Sequence, residues 1–536
     1  MRRSEPAVNR AALEGRPLLR KGLLLRAGQR GFQNKYEGAA MKRREFFKAT
    51  LVGGAIVAMP RARVWAEAAQ APAPAGADIS AIKLSGQPTT VSAAAVKDLA
   101  AHLHGQLLTA SDKEYEQARR IWNRMIDRRP ALIVRCAGAA DVATAITFAR
   151  EHDLLVAVRG GGHSFPGYSV CDGGLMIDLS GMRGVRVDPI AKTARVAAGS
   201  WIGDLDWEAQ RYGLATPMGE ISNTGVAGLT LGGGYGYLAR RFGLACDNLI
   251  SVDLITADAE FHRVSAQENP DLYWAIRGGG GNFGVVTSFE YLLHPVGPKV
   301  LAGNLTYAPA QTRQVLEFYA QFAASAPREF YADFGLEPGK DGAAQVTLYT
   351  CYSGDPRQGE KVMQPLLSFT KPLTNSIGLQ DYVKLQQQFD GPPLSDNNSY
   401  LKSGFVRALT PELIEVLVNE VHPDAALGVF SFHNGGAIAE IDPTATAVAH
   451  RKEQMQLMIE GSWPEAADNE RNRAKIRAVW DKVSRFTSGF YVNLNETDQK
   501  GVDDNYGPNH PRLAAIKKQY DPGNLFRLNA NIHPAA

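Results

Sequence analysis

The sequence predicts an α+β protein of two domains, on three observations. A strand-helix-strand pattern fills residues 131–158. Residues 199–294 are dense in glycine and leave little room for long helices. Beyond Pro295 the texture changes to alternating strands mixed with helical stretches. Such mixing points to an antiparallel sheet with helices on one side, and it sets the domain boundary near residue 297.

Along the chain, apolar residues recur at helical spacing from 92 to 126: Leu99, Leu103 and Leu107, then Ile121, Trp122 and Met125 after a break at Ser111-Asp112. Residues 131–134 read as a strand. Asp141 is expected to cap a helix that runs through Phe148 to Arg150. A second strand at 154–158 leads straight into Gly160. Residues 175–198 alternate around Gly184 and Asp188-Pro189 as short paired strands. In the second domain, 313–325 and 411–420 read as helices, and 346–350 and 428–432 as strands.

Composition narrows the function classes. Of 536 residues, 45% are apolar and 21% charged, which excludes disordered and fibrous chains. Cys136, Cys171, Cys246 and Cys351 form no CxxC pair, so neither a disulfide scaffold nor structural zinc is expected. The formal net charge of +3 conceals two different parts. Residues 1–66 carry 15 Lys/Arg against 4 Asp/Glu, which leaves 43 against 51 for residues 67–536. That acidic balance gives no case for binding nucleic acid or an anionic membrane.

The basic part reads as an export address. Lys42, Arg43 and Arg44 precede an apolar run at 49–59. The run is too short for a bilayer, which needs about 20 residues, so no stable membrane insertion is expected. Val64 and Ala66 form a small-residue cleavage pattern. Arg43-Arg44-Glu45-Phe46-Phe47-Lys48 resembles the twin-arginine signal. The expectation is a non-native extension at 1–40, a twin-arginine signal peptide at 41–66 and a linker at 67–89. The partner implied is the twin-arginine export machinery, which moves folded proteins already carrying cofactor.

Three glycine runs carry the chemistry. Arg159-Gly160-Gly161-Gly162-His163-Ser164 follows a strand directly. Without Cβ atoms its backbone N–H groups can approach a phosphate, Arg159 can add charge, and His163 ends the loop where a ligand would lie. The second run is Leu231-Gly232-Gly233-Gly234-Tyr235-Gly236, and the third spans 277–284. The third contains GxGxxG at Gly279, Gly281 and Gly284, but a helix precedes it and a strand follows. A dinucleotide fingerprint needs the reverse order, so a Rossmann NAD site is rejected. Three runs so close together suggest one extended ligand touched repeatedly.

These runs occur in order with residues 130–134, Gly243-Leu244-Ala245-Cys246-Asp247-Asn248 and a Tyr- and Asn-rich C-terminal block. That block holds Tyr491-Val492-Asn493, Tyr506-Gly507, Tyr520-Asp521-Pro522-Gly523-Asn524 and Asn529-Ala530-Asn531. The ordered set resembles the FAD-linked oxidases of the berberine bridge enzyme-like group, within the vanillyl-alcohol oxidase/PCMH flavoprotein superfamily. The resemblance implies a two-domain PCMH-type FAD-binding fold. FAD would be held by residues 90–297 and by a returning segment at 485–536. The substrate domain at 298–484 would be an antiparallel sheet backed by helices.

The resemblance also assigns roles. His163 would be bonded to the flavin 8α-methyl carbon. Arg159, Gly160, Gly161, Gly162, Ser164, Thr224, Gly225, Gly228, Gly232, Gly233, Gly234, Gly236, Val285, Tyr491, Asn493, Asn529 and Asn531 would contact the cofactor. Where some relatives have a second, cysteinyl link this chain has Ile221, so a single covalent bond is expected. Thr224 occupies the position that influences oxygen access, which leaves oxidase and dehydrogenase open. Tyr491 is the expected base, with packing of its ring on the flavin edge as the alternative; Leu494 replaces a second tyrosine found in some relatives. His433 has a structural role or contacts substrate. The implied reaction is hydride transfer to FAD from a C–H bond of an alcohol, lactol or similar group of a sugar or secondary metabolite. Oxygen or another acceptor would reoxidise the flavin. The competing reading is a flavin-binding or ligand-sequestering protein without turnover.

Overall fold

The computed structural model describes residues 76–423, 427–496 and 498–536. The expected extension and signal peptide at 1–66 lie outside them.

The N-terminal half is built from two sheets. The first has four strands, in the order Gln106–Leu108, Leu132–Arg135, Leu175–Asp178, Val156–Arg159. The last three are parallel, joined by the crossover helix Ala139–Glu151. Leu175–Asp178 lies inside the sheet and is buried throughout, as parallel strands covered on both faces are. The second sheet is antiparallel, in the order Phe261–Ser265, Leu249–Ile255, Val285–Leu292, Thr193–Ala197, Val185–Asp188. Its last two strands are the hairpin expected around Asp188-Pro189.

The C-terminal half is one antiparallel sheet of nine strands that includes Lys299–Thr306, Phe330–Pro338, Ala344–Tyr352, Asn398–Val406, Gly428–His433 and Met455–Trp463. Along Met455–Trp463 the two-residue period sorts the side chains. Met455, Leu457, Ile459 and Trp463 pack into a core with helices Thr312–Ser325, Pro411–Glu420 and Asn469–Val483. Met458, Glu460 and Ser462 face the other way, into a cavity.

The chain then returns. Phe490, Val492, Tyr506, Leu513, Phe526 and Ile532 enter the same core as Val134, Leu175, Phe283 and Phe289 of the N-terminal half. Asn282 pins this return. Its Nδ2 donates to the Gly279 carbonyl at 2.8 Å and the Ala530 carbonyl at 3.0 Å, and its Oδ1 accepts from the Ile532 N–H. Buried Lys517 donates to the carbonyls of Asn282 and Phe526 and pairs with Asp521 at 2.6 Å.

Three expectations change. The linker drawn through residue 89 overlaps a hairpin of Ile79–Ile82 with Pro88–Val91, anchored by buried Ala81 and Val91. The helical reading of 92–126 holds only for Ala93–Ala101 and Tyr115–Arg119. Leu107 lies in a strand instead. Asp141 is not the cap: the helix begins at Ala139 after Gly138. Its carboxylate accepts the N–H groups of His104, Gly105 and Ala137 and ties that loop to the helix.

Candidate active site

A cavity of about 660 Å³ lies between the glycine loops and the helix-free face of the nine-stranded sheet. It falls in the usual size range of ligand sites. Its first wall is the 160–164 loop at the end of Val156–Arg159. Gly161 and Gly225 meet back to back. A Cβ on Gly161 would sit 2.4 Å from the Gly225 Cα, and one on Gly225 only 2.4 Å from the Gly161 nitrogen. No other residue allows that approach. Gly162 turns the chain at φ +72°, a left-handed conformation suited to glycine, and delivers His163 to the cavity.

The imidazole of His163 lines the cavity and stacks on Trp122, with centroids 4.8 Å apart and planes 22° apart. Burial pushes its pKa down to about 4. At neutral pH it is therefore an uncharged imidazole with a lone pair available for a bond.

Arg159 departs from expectation. Its guanidinium turns away from the cavity, donates to the Ala118 carbonyl and lies 4.0 Å from Asp178. Among the described residues no lysine or arginine lines the cavity. Phosphates there would be met by backbone N–H groups.

The second glycine run is also corrected. Of its residues only Leu231 and Tyr235 reach the cavity; Gly232, Gly233, Gly234 and Gly236 do not. They are needed where backbone meets protein. A Cβ at Gly232 would strike the Asn493 amide at 2.4 Å, and one at Gly236 the Met218 carbonyl at 2.1 Å. The preceding stretch takes their place: Thr224, Gly225 and Gly228 line the cavity, as does Ile221. None of the four cysteines does, and burial pushes the thiol of Cys246 up. The third run contributes Gly280, Gly281, Asn282 and Gly284, with Val285 of the following strand and Asn529 beside them. The helix Pro270–Ile276 precedes this run and a strand follows it, the reverse of a dinucleotide fold. Asn531 lies off the cavity, where its carbonyl accepts from Gln499.

Tyr491 and Asn493 line the cavity from the returning segment. The Tyr491 hydroxyl accepts from Asn493 Nδ2 at 2.8 Å and from the Gly234 N–H at 3.2 Å. Burial pushes its pKa up. With both lone pairs engaged, this phenol suits orientation better than proton removal. His433 is structural: it is buried, its Nδ1 accepts from the Ala332 N–H, and Nε2 lies 3.1 Å from the Ala323 carbonyl.

Several functional candidates escaped the sequence reading. Trp122 belongs to a stretch read as helix. Glu220, Glu337, Asp390, Asp396 and Glu460 also line the cavity. The alternating pattern of Met455–Trp463 carried the signal for Glu460.

Comparison with known proteins decides the family. A family model for FAD binding domains matches residues 130–265, and one described as berberine and berberine like matches 490–533. An FAD-linked oxidoreductase of Dictyostelium discoideum is 33% identical over 446 residues, 82% of this chain and 97% of that protein. The chain belongs to the berberine bridge enzyme-like family of FAD-linked oxidoreductases. (R)-6-hydroxynicotine oxidase of Paenarthrobacter nicotinovorans is 30% identical over 452 residues, covering 81% of this chain and 97% of its own. Among solved structures, Physcomitrella patens BBE-like 1 matches with a TM-score of 0.76 at 26% identity, over 82% of this chain and 99% of that one.

This oxidoreductase thus has the PCMH-type FAD-binding fold, and its cavity fits the cofactor. Gly228 is exposed while its helix neighbours Val226, Ala227 and Thr230 are buried. A Cβ there would meet no protein atom within 4 Å. Gly228 keeps open a space that the chain itself does not fill.

Proposed function

We propose that this FAD-dependent oxidoreductase is exported by the twin-arginine route and carries its flavin on His163 through a single 8α-histidyl bond. The observation behind this reading is one neutral imidazole, delivered into the cavity by a triple-glycine turn, with Ile221 where a second link would need a thiol. FAD supplies a two-electron acceptor for hydride. The chain's own residues do the rest. The glycine loops and Asn529 hold the dinucleotide, Tyr491 and Asn493 hold the ring edge, and the sheet face of Leu401, Phe430, Phe432, Met458 and Glu460 receives the substrate.

The substrate bond is a C–H of an alcohol, lactol or similar group. The proton from its hydroxyl passes to a base in the cavity lining other than Tyr491, whose phenol burial keeps protonated. A second reading is an amine substrate. Among the described residues the lining carries five carboxyl side chains and no lysine or arginine, which favours a protonated amine over an anion, and the similarity to (R)-6-hydroxynicotine oxidase supports it. Thr224 lines the cavity, the resemblance implies that its position influences oxygen access, and the final acceptor is oxygen or another oxidant.

An anaerobic screen of alcohols, sugar lactols and amines, following flavin absorbance, tests this reading. Bleaching by one class, reversed by air, names both substrate and oxidant. A flavin that no reductant in the panel bleaches identifies a ligand-sequestering protein instead.

A further inference from the structure

Histidines that act at a defined atom are normally oriented by a hydrogen bond to one ring nitrogen. His433 and His294 follow that rule here, through the Ala332 N–H and Asn248 Oδ1. His163 does not: among the described residues, no hydrogen bond holds either of its nitrogens. Its ring instead stacks on the indole face of Trp122, with centroids 4.8 Å and planes 22° apart, while Phe165 meets it only edge-on at 6.2 Å.

Trp122 itself is fixed from two sides. Its backbone N–H donates to the Gly162 carbonyl at 2.8 Å, one residue before His163. Its carbonyl accepts from the Ser395 N–H at 3.1 Å. The neighbouring Asn123 is buried and donates to the carbonyls of Phe165 at 3.1 Å and Ser399 at 2.9 Å. Phe165 packs on Trp122 with centroids 4.8 Å apart. Both halves of the protein therefore hold the Trp122 backbone, Phe165 packs on its indole, and the indole is the stacking surface for a histidine that Phe165 otherwise meets only edge-on at 6.2 Å.

We propose that Trp122 is a positioning residue that sets the ring plane of His163 for bond formation to the flavin 8α carbon. This rests on the reading that His163 carries the cofactor. In the net reaction, His163 gives up its N–H and the methyl group one C–H as the carbon–nitrogen bond forms. The two electrons and two protons released pass to dioxygen, giving hydrogen peroxide. The stack acts on the first requirement, an imidazole lone pair aimed at the carbon. Misplacing a reacting group by about 1 Å costs on the order of a hundred-fold in rate.

The test is the time course of covalent flavin formation. Full-length Trp122→Leu and Trp122→Phe proteins are sampled after expression in the presence of excess FAD, and flavin retained after acid denaturation is measured against total bound flavin. Phe keeps an aromatic face and is expected within about three-fold of wild type, whereas Leu slows attachment by about ten- to a hundred-fold while total FAD stays bound. Equal rates for Leu and wild type overturn the proposal. Should the Leu variant fail to fold, Trp122→Met fills the space without a ring face, and a wild-type rate for Met overturns it equally. Complete release of flavin from the wild type is a different result: it removes the His163 reading itself, and the role of Trp122 with it.

Discussion

Gly228 offers a perturbation whose two effects have opposite signs. It lies within the helix Val226–Leu231, and an added Cβ meets no protein atom within 4 Å. Its φ is not in the left-handed region. Alanine is preferred over glycine inside a helix by about 0.5–1 kcal/mol, so Gly228→Ala stabilises the flavin-free chain by that order. In the cavity the same methyl group takes space that the cofactor needs. Inserting a methyl into a packed contact costs about 1–3 kcal/mol, or roughly 5- to 150-fold in affinity. The assay is FAD titration of His163→Ala and His163→Ala/Gly228→Ala proteins by flavin fluorescence, beside thermal melts without FAD. The account expects weaker FAD binding together with an unchanged or slightly higher melting temperature. Undiminished FAD affinity, even with valine at 228, would refute the placement of the cofactor against this helix.

Three further outcomes follow from the same contacts. Asp206 is buried in the helix Ile202–Gln210, beside Gln386 and Asp390, and burial raises its pKa from 3.8 to about 7. The unfolded chain ionises near pH 4 while the fold keeps the proton. Stability from this site is thus complete below about pH 4 and lost as pH rises to 7, by up to about 4 kcal/mol. Asp206→Asn removes that loss, so melts at pH 8 should favour the variant and melts at pH 4 should not; a pH-independent difference contradicts the assignment. Asp247 and fully buried Arg451 form a two-pronged pair at 2.8 and 2.9 Å. Asp247→Asn leaves a buried guanidinium underpaired and should cost about 3–5 kcal/mol in chemical denaturation. Tyr491→Phe should keep kcat within about ten-fold of wild type if the phenol only orients, because general-base loss costs about a hundred-fold or more.

The fold was legible where periodicity and burial agree. The strands at 131–134 and 428–432 and the helices at 313–325 and 411–420 emerged where the pattern put them, because each buries at least one face in a core. The site was legible at its motifs but not in its detail. A glycine that lets backbone approach a ligand and one that lets backbone approach protein look alike in sequence. Gly161 and Gly225 lie at the cavity, whereas Gly232 and Gly236 make room for Asn493 and Met218. Arg159 read as a phosphate contact because it adjoins the loop, but its strand position points the guanidinium toward Asp178. Trp122 was hidden by spacing: Ile121, Trp122 and Met125 mimic a helical stripe, while the chain there is irregular and held by long-range hydrogen bonds. The cavity carboxylates come from places distant in sequence: Glu337 and Glu460 from two strands of the nine-stranded sheet, Glu220, Asp390 and Asp396 from loops, and only the folded chain brings them together.

In the proposed function His163 alone carries the flavin. Peptide mass analysis of the proteolysed, acid-denatured enzyme tests it most directly. The account predicts one flavin-bearing peptide, which contains His163, and no flavin on peptides containing Cys246 or any other cysteine. Flavin recovered entirely free, or found on a peptide without His163, would contradict it.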